Sequence, residues 1–318
     1  MRTELSTESG FSLMEMMVAM AIMLLISGAA IGALLKMTSA QATIWSRTQM
    51  HSGVRGATEV LQQEVGQAGR ISLGSAAVSM TAASTVGSAA GAAKTLTVSS
   101  NTGMFVGEIL TIDAGQFQEN VTVISPIPSG TTSVTVTPLP ITGTLLAHAT
   151  NAPIRVFGGF SAGIVPATMT NGSTGTVLKL FGDINGDGNM VYIEYSCVIP
   201  TGGVGYLYRN SMAWNASSSP AAAQSQILLS NVVDNPNGTA CFTYDPKIVG
   251  ANTYVIDVAI TLTVQTQVID PVTKQYQQET KALLNVSPRN VFNAWQIASL
   301  GISERIQPVP PTITTLLQ

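Results

Sequence analysis

The chain opens with a long apolar segment that becomes amphipathic further on. Residues 16–35 contain no charged side chain, and at about 1.5 Å per residue a helix of this length crosses the ~30 Å hydrocarbon core of a bilayer. Glu15 lies at the start of this segment, where an ionised carboxylate facing lipid would cost roughly 2.5 to 3.5 kcal/mol. The pattern therefore predicts one membrane-spanning helix whose acidic residue needs a partner.

Beyond Lys36 the helix is predicted to continue to about residue 70 with apolar side chains on one face. Apolar residues recur there at helical spacing. They are Val54, Ala57, Leu61, Val65 and Ala68. We therefore expect residues 11–70 to form one helix that is transmembrane in its first half and covers a globular head with its amphipathic second half.

The rest of the chain has the features of β structure, in two regions. Residues 72–94 are small and polar without a clear period, which indicates a flexible connection. Runs rich in β-branched residues follow, separated by Gly, Asn and Pro, so residues 73–157 are predicted to be an inserted all-β module, a barrel or a sandwich. Asp113, Glu119 and His148 have no spacing that indicates chemistry, and we expect them to face solvent.

The second β region, residues 158–298, is predicted to be an antiparallel sheet that forms the head. Polar and apolar residues alternate along 253–268, which indicates a sheet with one face to cover. A helix packed on an antiparallel sheet gives an α+β fold. Residues 299–318 contain three prolines and are expected to be an extended tail.

Composition limits the classes of function. Charged residues make up 10% of the chain and the net charge is −3, which argues against a nucleic-acid partner. His51 and His148 are far apart in sequence, so neither a His-based metal site nor a Ser-His-Asp hydrolase is expected. No glycine-rich phosphate loop is present. These features favour a structural protein over an enzyme.

An acidic loop between two predicted strands has the residue pattern of a calcium-binding loop, D-x-[DN]-x-[DN]-G-x5-E. The matching residues are Asp183, Asn185, Asp187, Gly188 and Glu194. A strand follows instead of a helix, so Glu194 can point away from the loop, and the carbonyl of Asn189 is a further candidate ligand. Ca²⁺ binding is one interpretation, and a hairpin turn whose glycines supply left-handed conformations is the other.

The two cysteines, Cys197 and Cys241, fall in two different predicted strands. Our hypothesis is a disulfide between them, which would contribute on the order of 4 kcal/mol by the chain-entropy model. Two free buried thiols remain the alternative.

The residues before the apolar helix carry a resemblance to a known family. Gly10 followed by Phe11, with Glu15 at fixed spacing, closely resembles the processing site of type IV pilins and type II secretion pseudopilins. The resemblance implies that a prepilin peptidase removes the leader, residues 1–10, and that Phe11 becomes the N-methylated terminus. It also implies that Glu15 meets the α-amino group of a neighbouring subunit, so that each buried charge relieves the other.

Weaker motifs further along resemble PilW-type minor pilins and J-type pseudopilins by their order. They are GQAGR, the acidic loop before VYIEYSC, GYLYRN, ILLSNVV before CFTYD, and SPRN. This resemblance covers about residues 10–70 and 158–295. It implies a structural subunit of a pilus or secretion pseudopilus, anchored by one span in the bacterial inner membrane with its head in the periplasm. The implied partners are other pilin subunits, the prepilin peptidase and the assembly machinery.

Other interpretations of the N-terminal segment stay open. An ordinary secretory signal could be cut after Ala42, although the apolar run is longer than the usual 7–15 residues. A plain membrane anchor and a buried helix of a soluble protein are two more. A membrane-anchored surface adhesin that does not polymerise is the alternative function.

Overall fold

A computed structural model describes residues 10–74, 77–84, 89–127, 131–218 and 226–317. Within these ranges the chain forms two compact units. The first contains residues 10–51 and 266–278, and the second contains residues 52–265 and 279–317. Each unit is described by itself.

One long helix, α1 (Leu13–Gln67), runs through both units. In the first unit its apolar side chains are exposed. In the second unit one face is buried, and Val54, Leu61 and Val65 are at most 2% exposed. The helix ends where Gly69 adopts a left-handed conformation, with φ of 79°, and donates a backbone hydrogen bond to Phe181 O (2.9 Å). The predicted long N-terminal helix is confirmed.

In the described part of the chain, six short strands form the first sheet, in the order β1-β6-β3-β4-β5-β2. Their bounds are β1 Val78–Ser79, β2 Lys94–Thr97, β3 Ile109–Ile112, β4 Glu119–Val123, β5 Ser133–Pro138 and β6 Pro153–Val156. The two ends of this order meet, because Met80 bridges Val98 and Ser99 N donates to Ser79 O (2.8 Å). The sheet is therefore a closed barrel, which removes its free edges.

The barrel has a core of its own. Leu110, Ile112, Val121 and Val136 are fully buried within it. β1 lies inside residues 72–94, the stretch predicted to be a flexible connection, so that prediction was wrong for residues 78–80. Val78 and Met80 explain the difference, since both side chains are buried in the barrel core.

The head sheet has the order β12-β13-β11-β10-β9-β8, with β14 paired to β13. Its strands in the described ranges are β8 Val177–Gly182, β9 Val191–Val198, β10 Gly205–Ala213, β11 Gln226–Val233, β12 Phe242–Val249, β13 Asn252–Gln265 and β14 Gln278–Val286. The pairs β8–β9, β9–β10, β10–β11, β11–β13 and β12–β13 are antiparallel. In β13, Val258, Ile260 and Leu262 are at most 1% exposed. The α+β class predicted from the sequence is confirmed.

Residues 52–67 of α1 pack on the head sheet. A Cβ at Gly53 would lie 3.5 Å from the side chain of Leu229 in β11. Near the other end of this segment, Glu64 contacts Tyr195 in β9 and Arg209 in β10. Arg209 and Tyr195 are paired in register on neighbouring strands, so a single helical side chain reaches both.

Cys197 and Cys241 form a disulfide, with an S–S distance of 2.06 Å. Cys197 lies in β9 and Cys241 directly precedes β12. Both residues are 5% exposed. The bond closes a sequence separation of 44 residues, for which the chain-entropy model gives about 4 kcal/mol.

The C-terminal residues do not form the extended tail that the sequence predicted. After helix α2 (Arg289–Ser299), strand β15 (Ile306–Gln307) pairs in parallel with β7 (Gly159–Phe160). A last helix, α3 (Pro311–Leu316), then buries apolar side chains of this segment. They are Ile313, Leu316 and Leu317. Their spacing of three and four residues places them on one helix face, and burying that face outweighs the tendency of the prolines to keep the chain extended.

The domain limits 73–157, 158–298 and 299–318 stay predictions, because barrel and head sheet belong to one compact unit.

A carboxyl group is buried where the barrel meets the C-terminal segment. Glu108 has no exposed surface. Its Oε2 accepts a hydrogen bond from Phe105 N (3.2 Å), and its Oε1 has no partner among the residues that the structure describes. Burial raises the pKa of Glu108 from 4.5 to about 8. The next residue, Ile109, bonds through its backbone to the side chain of Gln307.

Stability should therefore fall as the pH rises, and Glu108→Gln should remove most of this dependence. Between pH 4.5 and about 8 the folded chain holds a proton on Glu108 that the unfolded chain has lost. The free energy of unfolding should decrease through this window, by on the order of a few kcal/mol. We expect Glu108→Gln to raise the melting temperature at pH 8 and to change it little at pH 5.

The matched control is Glu304→Gln, because Glu304 is exposed and bonds to Asn120 through one oxygen (2.8 Å). Its melting temperature should follow the wild type across the pH range. Equal pH dependence in Glu108→Gln and wild type would contradict this account of the buried carboxyl.

Candidate functional site

The first candidate site is the N-terminus of α1. Ser12 precedes the first helical residue, and its Oγ accepts a hydrogen bond from Met14 N (3.2 Å). In return, Glu15 Oε2 accepts from Ser12 N (3.0 Å). This reciprocal pair is a capping box, which satisfies backbone N–H groups that the helix leaves without partners. Ser12 and Glu15 show the S-x-x-E spacing of such a box, a signal that was readable in the sequence and that we missed.

Gly10 and Phe11 lie just outside the helix. Both are exposed, and Phe11 is 85% exposed. The peptide bond between them is therefore in non-helical chain that a peptidase can reach. Glu15 lies in the first turn of the helix with one carboxylate oxygen already bonded to its own chain.

The helix that follows has the length and hydropathy of a membrane span. The most apolar 18 residues of the helix have a mean hydropathy of 2.5, and none of them is buried. A core helix of a soluble protein would be covered by the rest of the fold. Near Glu15 a shallow groove of about 300 Å³ opens on the helix surface. It is lined by Met14, Glu15, Val18, Ala19 and Ile22.

A family model described as a prokaryotic N-terminal methylation motif matches residues 5–31. The N-terminal segment is a type IV pilin signal. This motif supports the type IV pilin and pseudopilin superfamily, and it implies processing by a prepilin peptidase and assembly with other pilins. No curated protein and no solved structure is significantly similar to this chain.

The pilin signal and the exposed apolar helix agree with each other. The matched residues include Gly10, Phe11 and Glu15 as well as most of the apolar segment, residues 16–31. Both observations are consistent with a membrane-anchored protein of structural function. The individual roles predicted for Gly10, Phe11 and Glu15 stay predictions.

The acidic loop between β8 and β9 is the second candidate site. Asp183 is 1% exposed, and its Oδ1 accepts a hydrogen bond from Asp187 N (3.1 Å). Its Oδ2 lies 3.6 Å from Arg70 Nε. Asp187 Oδ1 accepts from Asn189 N (2.9 Å). The carboxylates therefore bind the backbone of the loop, and Asp183 also binds Arg70, three residues after the end of α1.

Glu194 does not point into this loop. It lies in β9, where its Oε2 accepts a hydrogen bond from Tyr192 Oη (3.2 Å) and lies 3.7 Å from Lys179 Nζ. Burial, together with this carboxylate, raises the pKa of Tyr192. Glu194, the last ligand of the sequence pattern, thus lies in a strand and points away from the acidic loop.

The residues present do not fit a calcium ion well. Within the described ranges no group of three or more His, Cys, Asp or Glu residues is arranged to hold a metal. Asp183 is engaged by a guanidinium and by the loop backbone. Gly186 and Gly188 have φ of 72° and 87°, as the hairpin-turn interpretation expects. Ca²⁺ at Asp183, Asn185, Asp187, Asn189 and Glu194 is therefore untested, and of the two interpretations these contacts favour the hairpin turn.

A polar cluster in the second unit was not predicted at all. Arg209 Nη2 donates to Glu64 Oε1 (2.7 Å), and the hydroxyl of Tyr195 donates to Glu64 Oε2. The side chains of Glu64 and Arg209 are 12% and 19% exposed. Residue spacing cannot reveal such a cluster, because its members are 131 and 145 positions apart in the chain.

The prediction that Glu119 and His148 face solvent was wrong. His148 is 2% exposed, and its Nε2 lies 3.0 Å from Glu119 Oε2. Its Nδ1 lies 3.4 Å from Asp113, which is only partly exposed. Glu119 also accepts a hydrogen bond from Leu146 N (2.8 Å). Alternation along β4 buries Glu119 in phase with Val121, a signal that the sequence contained.

The acidic loop should be stabilised by Arg70 and not by calcium. We expect the melting temperature of the wild type to be the same in millimolar calcium and in a calcium chelator. Asp183→Asn should destabilise the protein by about 1–3 kcal/mol in both conditions, because Asp183 is buried and hydrogen-bonded. Asp187→Asn is the control, since Asp187 is exposed and should matter less. A calcium-dependent rise in melting temperature that either variant abolishes would restore the calcium interpretation.

Proposed function

We propose that this chain is a low-abundance structural subunit, a minor pilin or pseudopilin, of a type IV pilus or related secretion pseudopilus. The observation that carries the proposal is the pilin signal at residues 5–31, which overlaps the first part of an exposed apolar helix. We infer the low abundance from the size of the part that follows the helix. A barrel and a head sheet on one helix make a large subunit for a repeating filament.

The proposal includes the membrane topology. The chain spans the bacterial inner membrane once and carries its head in the periplasm. The apolar window of α1 supports the span. Because lipid offers the backbone no partners, a spanning segment must satisfy its hydrogen bonds internally, as a helix does.

Glu15 is proposed to bind the new α-amino group at Phe11 of a neighbouring subunit. Before assembly, the Glu15 carboxylate accepts a hydrogen bond from the backbone amide of Ser12 in its own chain, as part of the capping box. The groove beside Glu15 supports the packing of a second helix there, because the small side chain of Ala19 follows one turn later and leaves room. In lipid an ammonium and a carboxylate relieve each other's desolvation cost when the helices pack side by side.

Processing can be tested by co-expressing the chain with a prepilin peptidase. We expect intact-mass and N-terminal peptide mass spectrometry to find a chain that begins at Phe11 and carries an N-methyl group. Gly10→Val should keep its leader. A wild-type chain that still begins at Met1, or one cut after Ala42, would refute the proposal and favour the anchored adhesin or the secretory signal.

The role of Glu15 can be separated from its role in the capping box. Glu15→Gln retains a side-chain oxygen for Ser12 N but removes the charge, whereas Ser12→Ala removes the hydroxyl cap and retains the charge. We expect both variants to be inserted and cleaved. Only Glu15→Gln should lose incorporation into filaments, by about tenfold or more, as judged by the sheared filament fraction. Normal incorporation of Glu15→Gln would show that the charge has no part in assembly.

A further inference from the structure

The loop between β13 and β14, residues 266–277, is attached to α1 within the first unit. Asp270 Oδ1 accepts a hydrogen bond from Thr43 Oγ1 (3.1 Å), and Asp270 Oδ2 lies 3.8 Å from Arg47 Nη2. Arg47 Nη2 also donates to Gln277 Oε1 (3.0 Å). We call this segment the β13–β14 loop. Its position along the helix is therefore known from three polar contacts.

These contacts also give the direction of the loop. Gln277 lies at Arg47, and Asp270 reaches Thr43, which is nearer the apolar span. Thr43 follows residue 35, the end of that span, by eight residues, or about 12 Å of helix. The headgroup layer extends about 5–7 Å beyond the hydrocarbon core. Asp270 thus lies about 5–7 Å beyond the headgroup layer, a gap that about two residues of extended chain on either side of it can span.

The loop is folded around Asp270, whose side chain is 3% exposed. Asp270 Oδ1 accepts from Val272 N (2.8 Å), and Lys274 N donates to the carbonyl of Asp270 (2.8 Å). The backbone hydrogen bond from Val272 lowers the pKa of Asp270, with smaller contributions from Thr43 and Arg47. The one acidic group of the loop is thus turned inward and satisfied.

With its acid turned inward, the loop presents apolar and basic side chains to the outside. The large apolar residues that are about half exposed or more in the described part of this unit, beyond the span, are Met37, Ile44, Trp45, Val268, Ile269, Val272 and Tyr276. Residues 36–50 and 266–277 carry three basic side chains, Lys36, Arg47 and Lys274, against Asp270 alone. Apolar residues with Trp, Tyr and Lys around them are typical of surfaces at a membrane interface.

We propose that the β13–β14 loop rests on the membrane surface, where Val268, Ile269 and Val272 contact the headgroup layer of anionic lipids. The loop belongs to the same compact unit as the span, so the contact continues the surface that lipid already covers. The basic side chains complement anionic headgroups. The loop thereby gives the subunit a second membrane contact before it enters a filament. This inference rests on the membrane insertion proposed above.

The test places a fluorescent label on the loop of the full chain. Both native cysteines are in the disulfide, so Val272→Cys introduces a single reactive thiol. The labelled protein is reconstituted into vesicles of phosphatidylethanolamine and phosphatidylglycerol that contain nitroxide lipids, with the nitroxide either at the headgroup or deep in the acyl chain. Ile248→Cys is the matched control, since Ile248 in β12 is 72% exposed and Val272 is 70% exposed. Leu25→Cys reports the span.

We expect the headgroup nitroxide to quench the label at 272 at least twofold more than the label at 248, and the deep nitroxide to quench the label at 25. Lys274→Glu, or vesicles of phosphatidylcholine alone, should reduce the quenching at 272 and leave that at 25 unchanged. Equal quenching at 272 and 248 with normal quenching at 25 would overturn this inference alone. If the label at 272 became shielded from quenching as the protein density in the vesicles rises, and did not respond to anionic lipid, the inference would be overturned. The loop would then contact a second copy of this chain. Absence of quenching at 25 would overturn the membrane insertion as well.

Discussion

One helix has to satisfy two different surroundings, and the rest of the structure follows from this constraint. Up to His51, α1 exposes apolar side chains that only lipid or other helices can cover. From Val54 onward its apolar side chains are buried on the head sheet, and each fully buried Leu or Val contributes roughly 1.5–3 kcal/mol. A helix suits both because its backbone hydrogen bonds are internal in either environment.

Polar side chains specify where the helix packs. Glu64 contacts both Tyr195 and Arg209 on neighbouring strands, and such a cluster fixes the register of helix on sheet. The desolvation penalty of a buried ion pair cancels much of the free energy gained from the attraction between its charges. We therefore attribute positional specificity to this cluster, and most of the stability to the apolar face around it.

The barrel is connected to the chain end by buried polar groups. Gln307 bonds with its side-chain amide to both the N–H and the carbonyl of Ile109, and Glu108 beside it is kept neutral by burial at pH values below about 8. The C-terminal segment is thus attached to strand β3 of the barrel by specific hydrogen bonds. A buried carboxyl, one oxygen of which lacks a partner in the described part of the chain, makes this junction sensitive to pH, in contrast to the apolar core of the barrel.

The sequence by itself determined the elements whose signal is local and periodic. The apolar span, the alternation in β13 and the residues from Gly10 to Glu15 are short-range patterns, and each follows from chain geometry within a few residues. Only the tertiary structure decided which partners the buried polar groups have. Asp183 faces Arg70, Glu194 turns to Lys179, His148 meets Glu119, and the proline-rich C-terminus folds into β15 and α3. These outcomes depend on contacts between residues far apart in the chain, which no local spacing encodes.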